Sequence, residues 1–133
     1  MEEVEDRWIL GLQGTAVTAV ALDAERPGVA VTLADGTEIT VDGTWLLTQG
    51  AAAAPGASPL PAQALEGAIG SAVASAVAFK TGGLRVVFRT GLHLTVRPRD
   101  TSGTEASVRK PGAFDWTSRD GDCVMRLTDL DAR

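Results

Sequence analysis

Tyrosine is missing from this 133-residue chain, and cysteine and histidine occur once each, as Cys123 and His93. A single cysteine excludes an internal disulfide, and one histidine beside one cysteine is a poor donor set for zinc. No metal and no cofactor are expected. Long apolar runs are lacking too, since none reaches the roughly 18 residues that cross a bilayer as a helix. The opening stretch from Met1 to Trp8 is acidic where a secretory signal is basic, which makes the cytoplasm the expected location and a membrane no expected partner. Basic charge is also in short supply: twelve Lys and Arg stand against seventeen Asp and Glu, for a net charge of -5. Nonspecific binding to nucleic acid depends on neutralising phosphates with Lys and Arg, so nucleic acid is not an expected partner.

What is present fits one globular domain spanning residues 1–133. Hydrophobic residues make up 44% and charged residues 22%, a balance outside the disordered range. The length suits one core and is too short for two comfortable ones. Only Arg7 and Arg26 precede Lys80, so the second half is locally basic. The preference for Arg over Lys, with abundant Ala, Val and Gly, resembles the usage of a GC-rich bacterial genome.

The most informative feature is internal similarity, which sets architecture before any local motif does. Residues 31–41, Val-Thr-Leu-Ala-Asp-Gly-Thr-Glu-Ile-Thr-Val, align without gaps on residues 86–96, Val-Val-Phe-Arg-Thr-Gly-Leu-His-Leu-Thr-Val, at an offset of 55. Upstream, Gly14-Thr15-Ala16-Val17 matches Gly70-Ser71-Ala72-Val73 at an offset of 56. Two units, 14–42 and 70–97, therefore each read as a strand, a loop and a hairpin. In the first hairpin Val29, Val31, Leu33 and Thr37, Ile39, Val41 alternate with polar or small residues, the period of a half-buried strand. In the second, Leu84, Val86, Phe88 and Leu92, Leu94, Val96 do the same, with Arg85, Val87, His93 and Thr95 facing the other way. For both apolar sets to share a face, the loop must hold an odd number of residues. Ala34-Asp35-Gly36 and Arg89-Thr90-Gly91 are thus expected to be three-residue loops with a left-handed glycine.

Residues 49–58, rich in Ala, Gly and Pro, read as a linker between the units. Ser58 is expected to cap a short helix with Pro59 and Pro61 in its first turn and Leu60, Leu65, Ala68 and Ile69 along one side. After a polar turn at 97–104, the C-terminal strands of 105–128 are expected at 105–109, 114–117 and 123–128, with a turn at 119–122. The expected fold is mainly β, with about eight antiparallel strands and one short helix. Open edges invite aggregation, so the strands should form either a barrel-like roll or a two-sheet sandwich.

Catalytic signatures are scarce. Neither Gly11-Leu-Gln-Gly14 nor Lys80-Thr-Gly-Gly83 has the spacing of a phosphate-binding loop. His93 is expected on the polar side of a strand beside Arg85, with no carboxylate to orient it for nucleophile activation. Asp115, Asp120 and Asp122 are better explained by turn chemistry than by glycoside hydrolysis or a calcium loop. Cys123 begins an alternation with Met125 and Leu127 that makes it a buried thiol without a base. No catalytic and no metal-ligating residue is assigned. Two candidate binding sets remain. Arg85, His93 and Arg97, with Arg89 near them, would form a shallow cationic patch for a carboxylate ligand or an acidic protein. Trp45, Phe79, Phe88, Trp116 and Met125 would line an apolar pocket between the copies.

Ile69-Gly-Ser-Ala-Val73, Val77-Ala-Phe-Lys80, Gly83-Leu84, Phe88, Gly91-Leu92, Leu94-Thr-Val96, Glu105-Ala106, Pro111-Gly112 and Trp116 resemble, in that order, a family of small, functionally uncharacterised actinobacterial proteins. Trp8 and the Asp35-Gly36 hairpin extend the resemblance toward the N-terminus, and the Ala-rich 49–58 stretch departs from it. The resemblance implies a compact β-rich fold and carries no catalytic residue. The expected function is that of a noncatalytic intracellular binding protein, such as an immunity-type protein neutralising a protein partner. The other reading is a β pocket for a small apolar or acidic ligand, serving a carrier or a cyclase-like enzyme that works by orienting its substrate. A dimer is compatible with either.

Overall fold

Period-two alternation runs through most of the chain, and it resolves into strands wherever an inward row of Val, Leu and Ile is bounded by Gly, Asp or Pro. The structure, a computed structural model, describes residues 1–23, 28–51, 56, 58–97, 104–120 and 122–127. Among these lie twelve strands: β1 (Glu2–Val4), β2 (Arg7–Ile9), β3 (Val17–Leu22), β4 (Gly28–Leu33), β5 (Glu38–Asp42), β6 (Leu46–Gln49), β7 (Val73–Phe79), β8 (Leu84–Phe88), β9 (Leu92–Val96), β10 (Glu105–Lys110), β11 (Phe114–Arg119) and β12 (Asp122–Leu127). One short 3-10 helix, Ala62–Ala68, stands between β6 and β7. No described helix is long and apolar enough to cross a membrane.

The strands form two antiparallel six-stranded sheets. Sheet one runs β1-β2-β7-β8-β9-β6, and sheet two runs β12-β11-β10-β5-β4-β3. Neither closes on itself, so the sandwich is the architecture formed and the barrel is not. All six inward residues of the second hairpin, and Val29, Val31, Leu33, Ile39 and Val41 of the first, are buried in one core together with Val108, Phe114 and Trp116. Each such side chain contributes about 1.5–3 kcal/mol relative to exposure. Gly36 (φ +88°) and Gly91 (φ +93°) end the two hairpin loops in the left-handed region, as the odd loop length requires.

The two copies are related by a pseudo-twofold axis that reaches individual hydrogen bonds. The Gly14 amide donates to Val73 O (2.8 Å), and the Gly70 amide donates to Val17 O (2.9 Å). The Val17 amide donates to Ser71 O (2.8 Å), matched by the Val73 amide on Thr15 O (2.9 Å). Both meanders carry a register irregularity at the same place, between Val17 and Ala19 and between Val73 and Ser75. The strand after each meander then leaves its own sheet. β6 pairs with β9, and β10 pairs with β5. Each copy lends its fourth strand to the other.

The exchanged strands also grip the hairpin loops. Lys110 Nζ, at the end of β10, lies 3.9 Å from Asp35 Oδ2, while Gln49 Nε2, at the end of β6, donates to Thr90 O at 3.0 Å. Thr90 is the counterpart of Asp35 at the offset of 55, so the same clasp is built twice from different chemistry.

Several sequence expectations change. Twelve strands replace about eight, because three- and four-residue strands such as β1, β2 and β6 carry too few alternations to be seen. Ser58 is no helix cap. Pro59 bridges to Thr48, and the Leu60 amide donates to Leu47 O (2.7 Å), so this segment extends along the edge of β6. Pro61, at φ -64° and ψ 150°, is extended, and the helix begins after it with no side-chain cap. Proline disfavours helical backbone in the residue before it, which keeps Ser58 and Leu60 extended. Leu65 and Ala68 face the core as expected, whereas Ile69 is 46% exposed. Residues 52–55 and 57 of the expected linker, and 98–103 of the expected polar turn, lie outside the described residues.

Candidate functional site

Because β8 and β9 turn Leu84, Val86, Leu94 and Val96 inward, the intervening residues form the outer face of sheet one. Arg85 stands opposite Thr95, and Val87 opposite His93. Arg97 continues the row beyond β9 and borders a shallow recess with Trp45 and Leu46. On the neighbouring strands Arg7 stands opposite Phe79, and Ile9 opposite Val77. The Phe79 ring has the Arg7 guanidinium 5.1 Å from its centroid and that of Arg85 at 5.7 Å. Both lie within cation-π range. Arg7 also holds Asp6 at 2.8 Å, while Arg85 and Arg97 have no carboxylate partner among the described residues. Ile9 is 39% exposed beside them. The face is therefore an apolar strip edged by guanidinium groups, on a chain of net charge -5.

His93 sits in this face with Nδ1 buried and without a hydrogen-bond partner. Burial, and secondarily the Arg85 charge, hold its pKa below the ordinary imidazole value. A histidine whose folded pKa is depressed binds fewer protons when folded. Its share of stability is therefore complete above the unfolded pKa, near 6.5, and is lost as pH falls through that value toward the folded one. As the only histidine, it gives a single imidazole resonance. Arg85→Gln is expected to move the midpoint of that resonance upward, but not fully to the ordinary value, because burial is the larger cause and remains. An unmoved midpoint would show that the guanidinium is not felt.

A second feature opens at the side of the sandwich, between edge strand β3 and edge strand β6. It is a cleft of about 650 Å³ with apolar walls from Leu22, Trp45, Leu47 and Leu60, and with Thr44 and Gln63 among its polar residues. The helix packs along β3 beside it.

Of the residues singled out from sequence, Arg85, His93 and Arg97 come together on one face, and Phe79 joins them there. Trp45 lines the cleft. Phe88 and Trp116, at 1% and 0% exposure, are core residues, and half-buried Met125 packs against the core from β12. Trp116 and Met125 stand opposite each other across β11 and β12, while Trp45 lies at the cleft and Phe79 on the outer face of sheet one. Sequence reasoning missed Arg7 and Ile9, whose strand is three residues long, and the role of Leu22 and Leu60, which lie outside the aligned blocks of the repeat. Leu47 was missed with the rest of β6.

The model of DUF6188, a family of unknown function, matches residues 8–106. The chain belongs to this family. No curated protein and no solved structure matches it. The DUF6188 span begins in β2 and ends at the start of β10, so it takes in both copies, the helix and the pairing of β6 with β9, with the first two residues of the pairing of β10 with β5. It includes Trp45, Phe79, Arg85, His93 and Arg97, and leaves β1, β11 and β12 outside.

Proposed function

We propose that the chain is a noncatalytic cytoplasmic binding protein of actinobacterial source that docks a protein partner on the outer face of sheet one. The observation carrying this reading is the pair of guanidinium groups over Phe79, set beside exposed Ile9 and half-buried Val87. Arginine and aromatic rings supply much of the energy of protein interfaces. A guanidinium without a carboxylate partner among the described residues is the complement of a carboxylate on a partner protein, and charge complementarity speeds capture. The partner is then acidic and partly apolar at its docking surface, and an immunity-type protein would neutralise a partner of that kind. The surroundings of His93 support a noncatalytic role, since it meets an arginine where a general base would meet a carboxylate. The chain's preference for Arg over Lys supports the source.

Affinity capture from the source cell tests this with three forms of the chain. The natural protein and Thr117→Glu, altered on the outer face of sheet two, are expected to retain the same partner. Arg85→Glu combined with Arg97→Glu is expected to lose it while keeping an unchanged unfolding transition. Equal retention by all three would remove the outer face of sheet one from the interaction.

A further inference from the structure

The pseudo-twofold axis gives each part of the fold a counterpart, so a place filled on one side and open on the other can be compared directly. At the end of the second copy, Trp8 of β2 pairs with Ala78 of β7 and packs its indole against the core. Lys80 Nζ lies 5.4 Å from that ring. β11 and β12 close the remainder: Ser118 Oγ donates to Gly82 O at 2.8 Å, and Cys123 Sγ lies 3.3 Å from Lys80 O.

In the first copy the counterpart of Ala78 at the offset of 56 is Leu22, and the place of β2 beside it is taken by the short helix. The segment preceding each copy packs on the other copy in both cases: β2 on β7, and the helix on β3. The helix, however, carries no aromatic residue, whereas β2 carries the Trp8 indole. Among the described residues no strand like β11 follows β6 either, and the chain leaves the edge of β6 at Pro61. What remains in front of Leu22 is the cleft of about 650 Å³, walled by Leu22, Trp45, Leu47 and Leu60. Its volume falls within the roughly 300–1,000 Å³ of small-molecule sites, and its apolar walls with a few polar groups match their usual make-up.

We infer that this cleft is a binding site for a planar aromatic small molecule, which takes the place that the Trp8 indole occupies on the pseudo-symmetric side. Trp45 supplies an aromatic wall against which a ring stacks or packs edge to face, and Thr44 and Gln63 supply hydrogen-bonding groups for a polar substituent. The cleft shares Thr44 and Trp45 with the recess beside Arg97, but the argument for its occupant does not rest on the protein-docking reading.

Indole is the probe, with cyclohexanol as a nonaromatic comparator, titrated into the full chain and followed through backbone amide resonances. Saturable shifts confined to Leu22, Gly28, Gly43 to Leu47 and Leu60 to Gln63 are expected. Indole should bind with a Kd of about 1 mM or tighter, and at least about threefold more tightly than cyclohexanol. Ala62→Trp, which places an indole at the wall of the cleft, is expected to weaken indole by about tenfold or more with the amide spectrum otherwise kept. Should that variant not fold, Trp45→Leu provides the same reading through loss of the aromatic wall. Shifts that do not saturate, shifts scattered over the surface, equal affinity for the two probes, or a folded variant of either kind binding indole as the natural chain does, would each overturn the assignment.

Discussion

Gly43→Ala is expected to destabilise the protein by about 3–5 kcal/mol, more than an ordinary surface substitution by a wide margin. Two costs combine. Gly43 has φ +117°, a backbone conformation that a side chain strains by about 1–3 kcal/mol. An added Cβ would also fall 2.8 Å from Thr104 Oγ1 and 2.9 Å from Thr104 Cα, closer than carbon atoms pack. The Cα is main chain and cannot swing away, so relief requires one crossing segment to shift. Those segments are the connections β5 to β6 and β9 to β10, which carry the exchanged strands, and the Thr44 amide donates to Thr104 Oγ1 at 3.2 Å where they touch. Denaturant unfolding reads the effect as a lowered midpoint at unchanged m-value. Gly14→Ala is the comparison, because Gly14 has φ +86° but nothing within 4 Å of an added Cβ. It should show the strain alone, about 1–2 kcal/mol. If Gly43→Ala costs no more than Gly14→Ala, the crossing is not close-packed.

Gly43 and Thr104 also mark how far the symmetry goes. β6 and β10 correspond at an offset of 61, as Leu47 opposite Leu94 and Val108 opposite Ile39 show. At that offset Gly43 and Thr104 are counterparts, and their contact lies on the pseudo-twofold axis, like the bridge between Ala16 and Ala72. The six-residue growth of the offset from 55 falls at 98–103, outside the described residues. One side of the crossing keeps a glycine and the other a threonine, since only one of two abutting backbones needs to lack a side chain.

The repeat was legible because both hairpins are built of five- or six-residue strands with a strict inward row, and burial preserves that row on each side of the sandwich. Val31 and Val86, or Ile39 and Leu94, are buried to the same degree for the same reason. The exchange of β6 and β10 was not legible. A strand that pairs within its own copy and one that crosses to the other show the same alternation, and β6 has only Leu46-Leu-Thr-Gln49 to show. The candidate site divides along the same line. Arg85, His93 and Arg97 share a face because period two puts them there, and that follows from sequence once the strand is known. The cleft depends on which segment packs on β3, a long-range outcome that Leu22, Leu60 and Trp45 do not signal individually. Trp45 drew notice as an aromatic residue at the end of a unit, whereas Phe88 and Trp116 carried the same apolar signal and went to the core.

Cutting the chain between the copies is expected to abolish folding of either half and to leave refolding to their mixture. Fragments 1–51 and 58–133 each keep a three-stranded meander. Every long-range pairing that completes a sheet then lies between fragments: β2 with β7, β6 with β9, and β5 with β10. Alone, the first fragment would present Val29, Val31, Leu33, Ile39 and Val41 as one bare apolar face, with no opposing sheet to bury it. A three-stranded sheet with an exposed apolar face does not hold against the backbone entropy of ordering its residues, about 1–2 kcal/mol each. Neither fragment should therefore show a cooperative thermal transition. Mixed in equal amounts at tens of micromolar, the fragments should recover one, at a Tm below that of the intact chain and dependent on concentration, because the break turns an intramolecular pairing into a bimolecular one. Near-ultraviolet circular dichroism follows it through Trp116, which is buried only when β10 and β11 have docked. If instead each fragment melts cooperatively by itself, the copies fold independently and the exchanged strands are an addition to two finished units. In that case Gly43→Ala should also lose most of its cost, since the crossing would no longer join halves that need each other.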